Sequence, residues 1–177
     1  PISIWDKMKT LVARQDYRES RHKREFGKLW HQNREENVDI TSINLDARKG
    51  LPFGKLFYGF AGHWNDVKSQ AYEKNILSDQ ERKISTRYPS EGSQTSHYAA
   101  YYLIKWPINQ TWELLQGFRY TKYHLNAVFG NEAFFDLPFE RAKLNNQALT
   151  GRFGTIYRWN DQGGKIKTQL SSGFRAP

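Results

Sequence analysis

The chain has no cysteine, one methionine and only six prolines in 177 residues. Without thiols there are no disulfides, no thiolate zinc or iron–sulfur centres and no cysteine nucleophile. Long apolar runs are also missing. The most apolar stretch, Tyr98 to Trp106, is about nine residues long, against roughly 20 for a helix that crosses a bilayer. On that ground no integral membrane segment is expected. Residues 1–20 hold no apolar signal core, so nothing visible marks the chain for secretion. The expected location is soluble, inside a cell or within a virion or other particle. GxGxxG, the phosphate-loop Gly-Lys-Ser/Thr and Gly-x-Ser-x-Gly are all absent. No two histidines stand three or four residues apart, so no helical metal pair is visible. No cofactor, metal site or catalytic residue is therefore assigned.

What is present is charge and aromatic surface. The net charge is +9 and the mean hydropathy is −0.83, yet 15% of residues are Phe, Trp or Tyr. Disordered chains are poor in aromatics, so a folded body is expected. Aromatics with a polar edge suit surfaces that are apolar on one side and wet or bound on the other. The charge is uneven. Residues 1–37 carry nine Lys/Arg against six Asp/Glu, and residues 141–177 carry seven against one. Residues 38–140 balance. A neutral body with basic ends implies termini that touch something anionic.

Residues 3–36 read as a long charged helix. Ser3 serves as cap, and Ile4, Met8, Leu11, Phe26, Leu29 and Trp30 fall at helical spacing. On that helix Arg14, Arg18, Arg21 and Lys28 would share a face. Residues 37–54 break the pattern with a short strand and a KGLPFG turn. Residues 65–85 read as helix. Pro107 and Pro138 each read as the start of another. RFGTIYRW and KIKTQL flank NDQGG and read as a β-hairpin. The expected fold is α+β: a mainly helical single domain with a long charged N-terminal helix and a C-terminal β-hairpin. Its parts are a helical arm (1–37), an aromatic-rich body (38–150) and a basic hairpin and tail (151–177).

The leading functional reading is a non-enzymatic basic subunit of a large assembly, such as a virion or ribonucleoprotein, contacting nucleic acid or acidic protein. The binding residues are Arg14, Arg18 and Arg21, then Arg152, Arg158, Lys165, Lys167 and Arg175, with Tyr157 and Trp159 as stacking partners. The string LIKWPIN at 103–109 resembles apolar openings of some phage proteins and tilts the source toward a virus. One alternative is a metal-dependent nuclease using carboxylates among Asp66, Glu132, Asp136 and Glu140. Another is a stand-alone protein-binding module or inhibitor. GHWND, from Gly62 to Asp66, reads better as the entry to a helix than as a base or metal site.

Overall fold

Read with a period of two instead of 3.6, the same residues make strands. In residues 55–64 one set is Lys55, Phe57, Gly59, Ala61 and His63, and the other is Leu56, Tyr58, Phe60, Gly62 and Trp64. The second set is the larger and more apolar, which is the alternation of a sheet with two unlike faces. The computed structural model describes residues 3–129, 138–159 and 163–175, and it contains no helix among them. The strands are β1 (Lys7–Lys23), β2 (Trp30–Leu51), β3 (Gly54–Asn75), β4 (Glu81–Lys83), β5 (Ser93–Pro107), β6 (Trp112–Val128), β7 (Arg141–Arg158) and β8 (Lys165–Ser171).

They form one antiparallel meander in the order β1-β2-β3-β5-β6-β7-β8, with β4 paired to β3 off that path. The mainly helical α+β expectation is therefore wrong. The residues read as a helical arm are β1 and the start of β2, and those read as a helix at 65–85 are the end of β3 and β4. Pro107 ends β5 instead of starting a helix, and the helix placed from Pro138 is β7. The boundaries drawn at 37 and 150 fall inside β2 and β7.

The two ends of the sheet differ. At one end the connections are short. Pro52 and Phe53 join β2 to β3, and Gly54 starts β3 so close to its neighbour that a Cβ would stand 2.1 Å from the Lys105 carbonyl oxygen. Between β5 and β6, Asn109 Oδ1 accepts from Thr111 N at 2.9 Å and Trp112 N at 2.8 Å, a side chain closing the turn on its own backbone. At the other end the connections from β3 to β5 and from β6 to β7 are long, and β4 lies within the first of them.

The ladders run without interruption, so paired residues share a face across the sheet. Odd positions of β1, β3, β5, β6 and β8 and even positions of β2 and β7 lie on one face. Among the described residues all buried side chains except Asn33 and Ala47 belong to it, so this is the inner face. Large side chains crowd the outer face.

Near the long loops, Arg82 of β4 closes on the inner side of β3. Its guanidinium donates to Glu73 Oε2 at 2.7 and 2.9 Å and stacks on Trp30, 4.1 Å from the ring centre. Gln32 donates to the other Glu73 oxygen at 2.7 Å. The bond from Arg82 is the main reason the Glu73 carboxyl sits below its usual 4.5, with burial opposing it. A lowered carboxylate contributes stability above its unfolded value and loses it as pH falls through the folded one. Trp30 fluorescence should stay constant as pH falls from neutral to the ordinary range of a glutamate carboxyl and change only below that range. In Glu73→Gln that acid transition should be absent; a transition of unchanged midpoint would show that another group holds β4.

Candidate functional site

The outer face carries an apolar band bounded by aromatic side chains. Toward the long loops, Trp64 Nε1 donates to Tyr98 Oη at 2.8 Å, and Tyr120 Oη donates to Gln147 at 2.7 Å. Toward the short turns, Phe53 meets Trp106 edge-on, and Tyr157 lies between Trp112 and Trp159 with ring centres 4.7 and 6.4 Å away. Between the two rows stand Phe60, Phe118, Leu149 and Phe153, with Leu170 on the neighbouring strand, and these are between 40% and 79% exposed. Soluble proteins rarely expose contiguous apolar patches beyond a few hundred Å². This band crosses the whole sheet. Tyr98 to Trp106 and Trp112 to Tyr120 each cover about nine residues, the length of a tilted strand that crosses a bilayer core.

The inner face is polar and, toward the short turns, strongly basic. Lys7, Lys9, Arg48, Lys55, Lys105 and Arg119 lie there, joined by Arg152, Arg158, Lys165 and Lys167. Asp46 and Glu113 are the acidic side chains among the described residues of that region, and both are engaged. Tyr101 donates to Asp46, and Arg158 stands 3.7 Å from Glu113.

Within this basic field the wall is hollowed. One ladder row runs Phe57, Leu103, Gly117, Arg152, Ser171. Gly117 leaves that row without a side chain at its middle. A Cβ there would meet the Tyr102 carbonyl oxygen at 2.6 Å, so the two strands press together at the glycine. The result is an open hollow of about 560 Å³. Phe57 and Leu103 form an apolar floor, and Tyr101, Thr150, Gln169 and Ser171 supply hydroxyls and an amide. Lys105, Arg119 and Arg152 bring positive charge. Each cation is braced: Lys105 over Phe57 at 5.4 Å, Arg119 over Tyr101 at 5.5 Å, and Arg152 Nε donating to Gln169 at 2.8 Å. Fixed cations around an apolar floor suit a ligand with negative charge and an apolar body.

The structure divides the residues chosen from sequence. Arg152, Arg158, Lys165 and Lys167 come together on the inner face of β7 and β8. Tyr157 is on the opposite side, in the outer aromatic row, with Trp159 just past the end of β7. The supposed ridge is split: Arg14 and Arg18 point outward, while Arg21 points inward and pairs with Glu19. Arg175 lies beyond β8 and is exposed. His63 is an inner-face strand residue stacked on His97 at 6.0 Å, and Asp66 points outward. Glu140 is exposed just before β7, and Glu132 and Asp136 lie outside the described residues. No group of three or more His, Cys, Asp or Glu is placed to hold a metal among the described residues. Lys55, Lys105 and Arg119 were missed because they sit in the stretch whose net charge is zero. Their alternation with aromatic and apolar residues was the signal.

Long antiparallel strands, an outer apolar band between aromatic rows, a polar inner face and short turns at one end define a transmembrane β-barrel wall. The sequence agrees. Residues 4–177 match the family described as TonB dependent receptor-like, beta-barrel, and the chain belongs to that family. Its fold is similar to that of a solved structure, the copper transporter OprC, with a TM-score of 0.66 at 12% identity over 80% of this chain. The chain spans 22% of the length of that structure. No curated protein sequence matches it.

Family membership overturns the reading as a viral or ribonucleoprotein structural subunit, and with it the nucleic-acid partner. Barrels of TonB-dependent receptors are outer-membrane proteins, so the soluble, intracellular or virion location is wrong too. The expectation of no membrane segment failed for a physical reason. No helix among the described residues is long and apolar enough to cross a membrane, but strands cross with half the residues.

Proposed function

We propose that this chain is part of the wall of an outer-membrane receptor barrel that takes up a negatively charged solute, energised through TonB. Further strands beyond β1 and β8 close the barrel, since open sheet edges do not persist in hydrocarbon. Outer-membrane transporter barrels with a plugged lumen have about 22 strands, so the sheet supplies roughly a third of the wall. The observation that carries the reading is the two-faced wall: aromatic-bounded apolar surface outside, and a basic hollow around Gly117 inside. Lys105, Arg119 and Arg152 hold the charged part of the solute, and Phe57 and Leu103 face its apolar part.

These 177 residues contain no cysteine, so single cysteines can be introduced into them one at a time. Single cysteines placed along β7 from Leu149 to Thr155 should react with a membrane-impermeant maleimide in alternation in intact outer membranes. Positions 150 and 152 should label, and positions 149, 153 and 155 should not. Uniform labelling along the strand would remove the membrane-wall reading.

A further inference from the structure

Four of the five histidines stand in two cross-strand pairs. His63 and His97 face the lumen. His22 of β1 and His31 of β2 face outward near the long loops, and no step of solute passage uses them. Lys74, opposite His31 in the ladder, is ten residues beyond Trp64 of the upper aromatic row. At ~3.3 Å per residue and a tilt near 45° the pair stands ~23 Å past that row, in water.

Three features make the outer pair a metal site. First, the rings are placed for it. They are parallel to within 1°, with centres 5.8 Å apart. An imidazole nitrogen holds a divalent transition metal at about 2.0–2.1 Å, so a turn of each ring about its Cβ–Cγ bond brings both onto one ion. Second, the tautomer is fixed. Asn33 is only 7% exposed although it lies on the outer face. Its Nδ2 donates to the His31 carbonyl oxygen at 3.3 Å, so its Oδ1 is left to accept. His22 Nδ1 meets that oxygen at 2.7 Å and must carry the proton. In the neutral ring Nε2 then keeps its lone pair. Metal-ligating histidines are oriented in the same way, by donating the other nitrogen to a fixed acceptor. The inner pair has no orienting bond of this kind among the described residues. Third, nothing else claims His31. Its ring has no hydrogen-bond partner among the described residues, and Lys74, the cation opposite it, is engaged by Asp79 at 3.1 Å.

We propose that His22 and His31 bind one divalent transition-metal ion, with Asn33 as a positioning residue and water in the remaining coordination positions. Two imidazole ligands select copper(II), then nickel and zinc, over magnesium and calcium. The ion ties β1 to β2 across the connection at 24–29. It is a structural clasp, because it lies on the opposite side of the wall from the lumen.

The test uses the intact outer-membrane protein in mild detergent, with the chlorides of Cu²⁺, Zn²⁺ and Mg²⁺ as probes. In equilibrium dialysis His22→Ala and His31→Ala should each lose one bound Cu²⁺ per chain, a fall in affinity of more than ~100-fold. Asn33→Ala should weaken it by ~10- to 100-fold. His63→Gln/His97→Gln should bind as the wild type does. Zn²⁺ should bind more weakly and Mg²⁺ not at all. Copper paramagnetic resonance should show two coupled imidazole nitrogens in the wild type and one in either single histidine variant. With Cu²⁺ at ~10 times its Kd, trypsin cleavage after the exposed Arg24 and Lys28 should slow ~10-fold in the wild type and not in His22→Ala. His22 is exposed, and heat-dependent gel mobility should show its variant folded. Unchanged Cu²⁺ binding in His22→Ala, loss of the ion in the inner-pair variant, Mg²⁺ binding equal to Cu²⁺, or cleavage indifferent to Cu²⁺ would overturn the proposal. Failure of the protein to fractionate with the outer membrane would remove the wall reading and leave this site standing, since the site needs only the pairing of β1 with β2.

Discussion

Phe60→Arg should lower stability in lipid vesicles by about 2–4 kcal/mol, the cost of an arginine near the bilayer midplane on the lipid side of a barrel. Phe60 is outward-facing and 42% exposed, four residues from Trp64 and six from Gly54, so it lies well inside the apolar band. In water the same change would be nearly neutral, since a partly exposed ring would be replaced by a soluble side chain. The environment decides the sign. Denaturant unfolding monitored by tryptophan fluorescence gives the value. The inner-face change Thr150→Lys should cost less than about 1 kcal/mol, because it faces water at the same height. Equal costs at the two positions would mean that the outer face does not meet lipid.

Neutralising Arg119 and Arg152 together should abolish binding of a charged solute while leaving the fold intact. A hydrogen bond to a charged group is worth about 1.5–3 kcal/mol, so each cation removed weakens binding by roughly 10- to 100-fold. Arg119→Gln/Arg152→Gln should therefore lose at least about 100-fold in uptake of an anionic substrate in whole cells. Their bracing by Tyr101 and Gln169 means the guanidiniums are held in place before the ligand arrives, which is what makes their loss costly. The control is Arg14→Gln on the outer face, where uptake should not change. A receptor that loses no uptake in the double variant would place the solute's path elsewhere in the lumen.

The strands were legible wherever turn chemistry or alternation was local. KGLPFG marks the short connection between β2 and β3, and Phe153, Thr155 and Tyr157 alternate along β7 as a strand should. The failure was one of period. Ile4, Met8 and Leu11 happen to fall at spacings of four and three, so residues 3–36 imitate a helix. In the sheet Met8 and Leu11 point to opposite faces, and the charged DYRESRHK segment that no helix needed to bury is the part of β1 that runs toward the long loops. A strand whose one face meets lipid and whose other meets water also has no need of the long apolar run that marks a membrane helix. That is why a mean hydropathy of −0.83 misled.

By itself the sequence determined that the chain folds, that it has no thiol chemistry, and that its positive charge concentrates at residues 141–177. Aromatic content and charge are properties of residues, and they survive any arrangement. Which cations act together was decided only by tertiary structure. Lys105, Arg119 and Arg152 are far apart in sequence but occupy adjacent ladder rows around Gly117, because the pairing registers lay distant stretches of chain side by side. The same registers put Tyr157 and Arg158 on opposite faces, one toward lipid and one toward the lumen. Neighbours in sequence became residents of different solvents, and no count of residues contains that information.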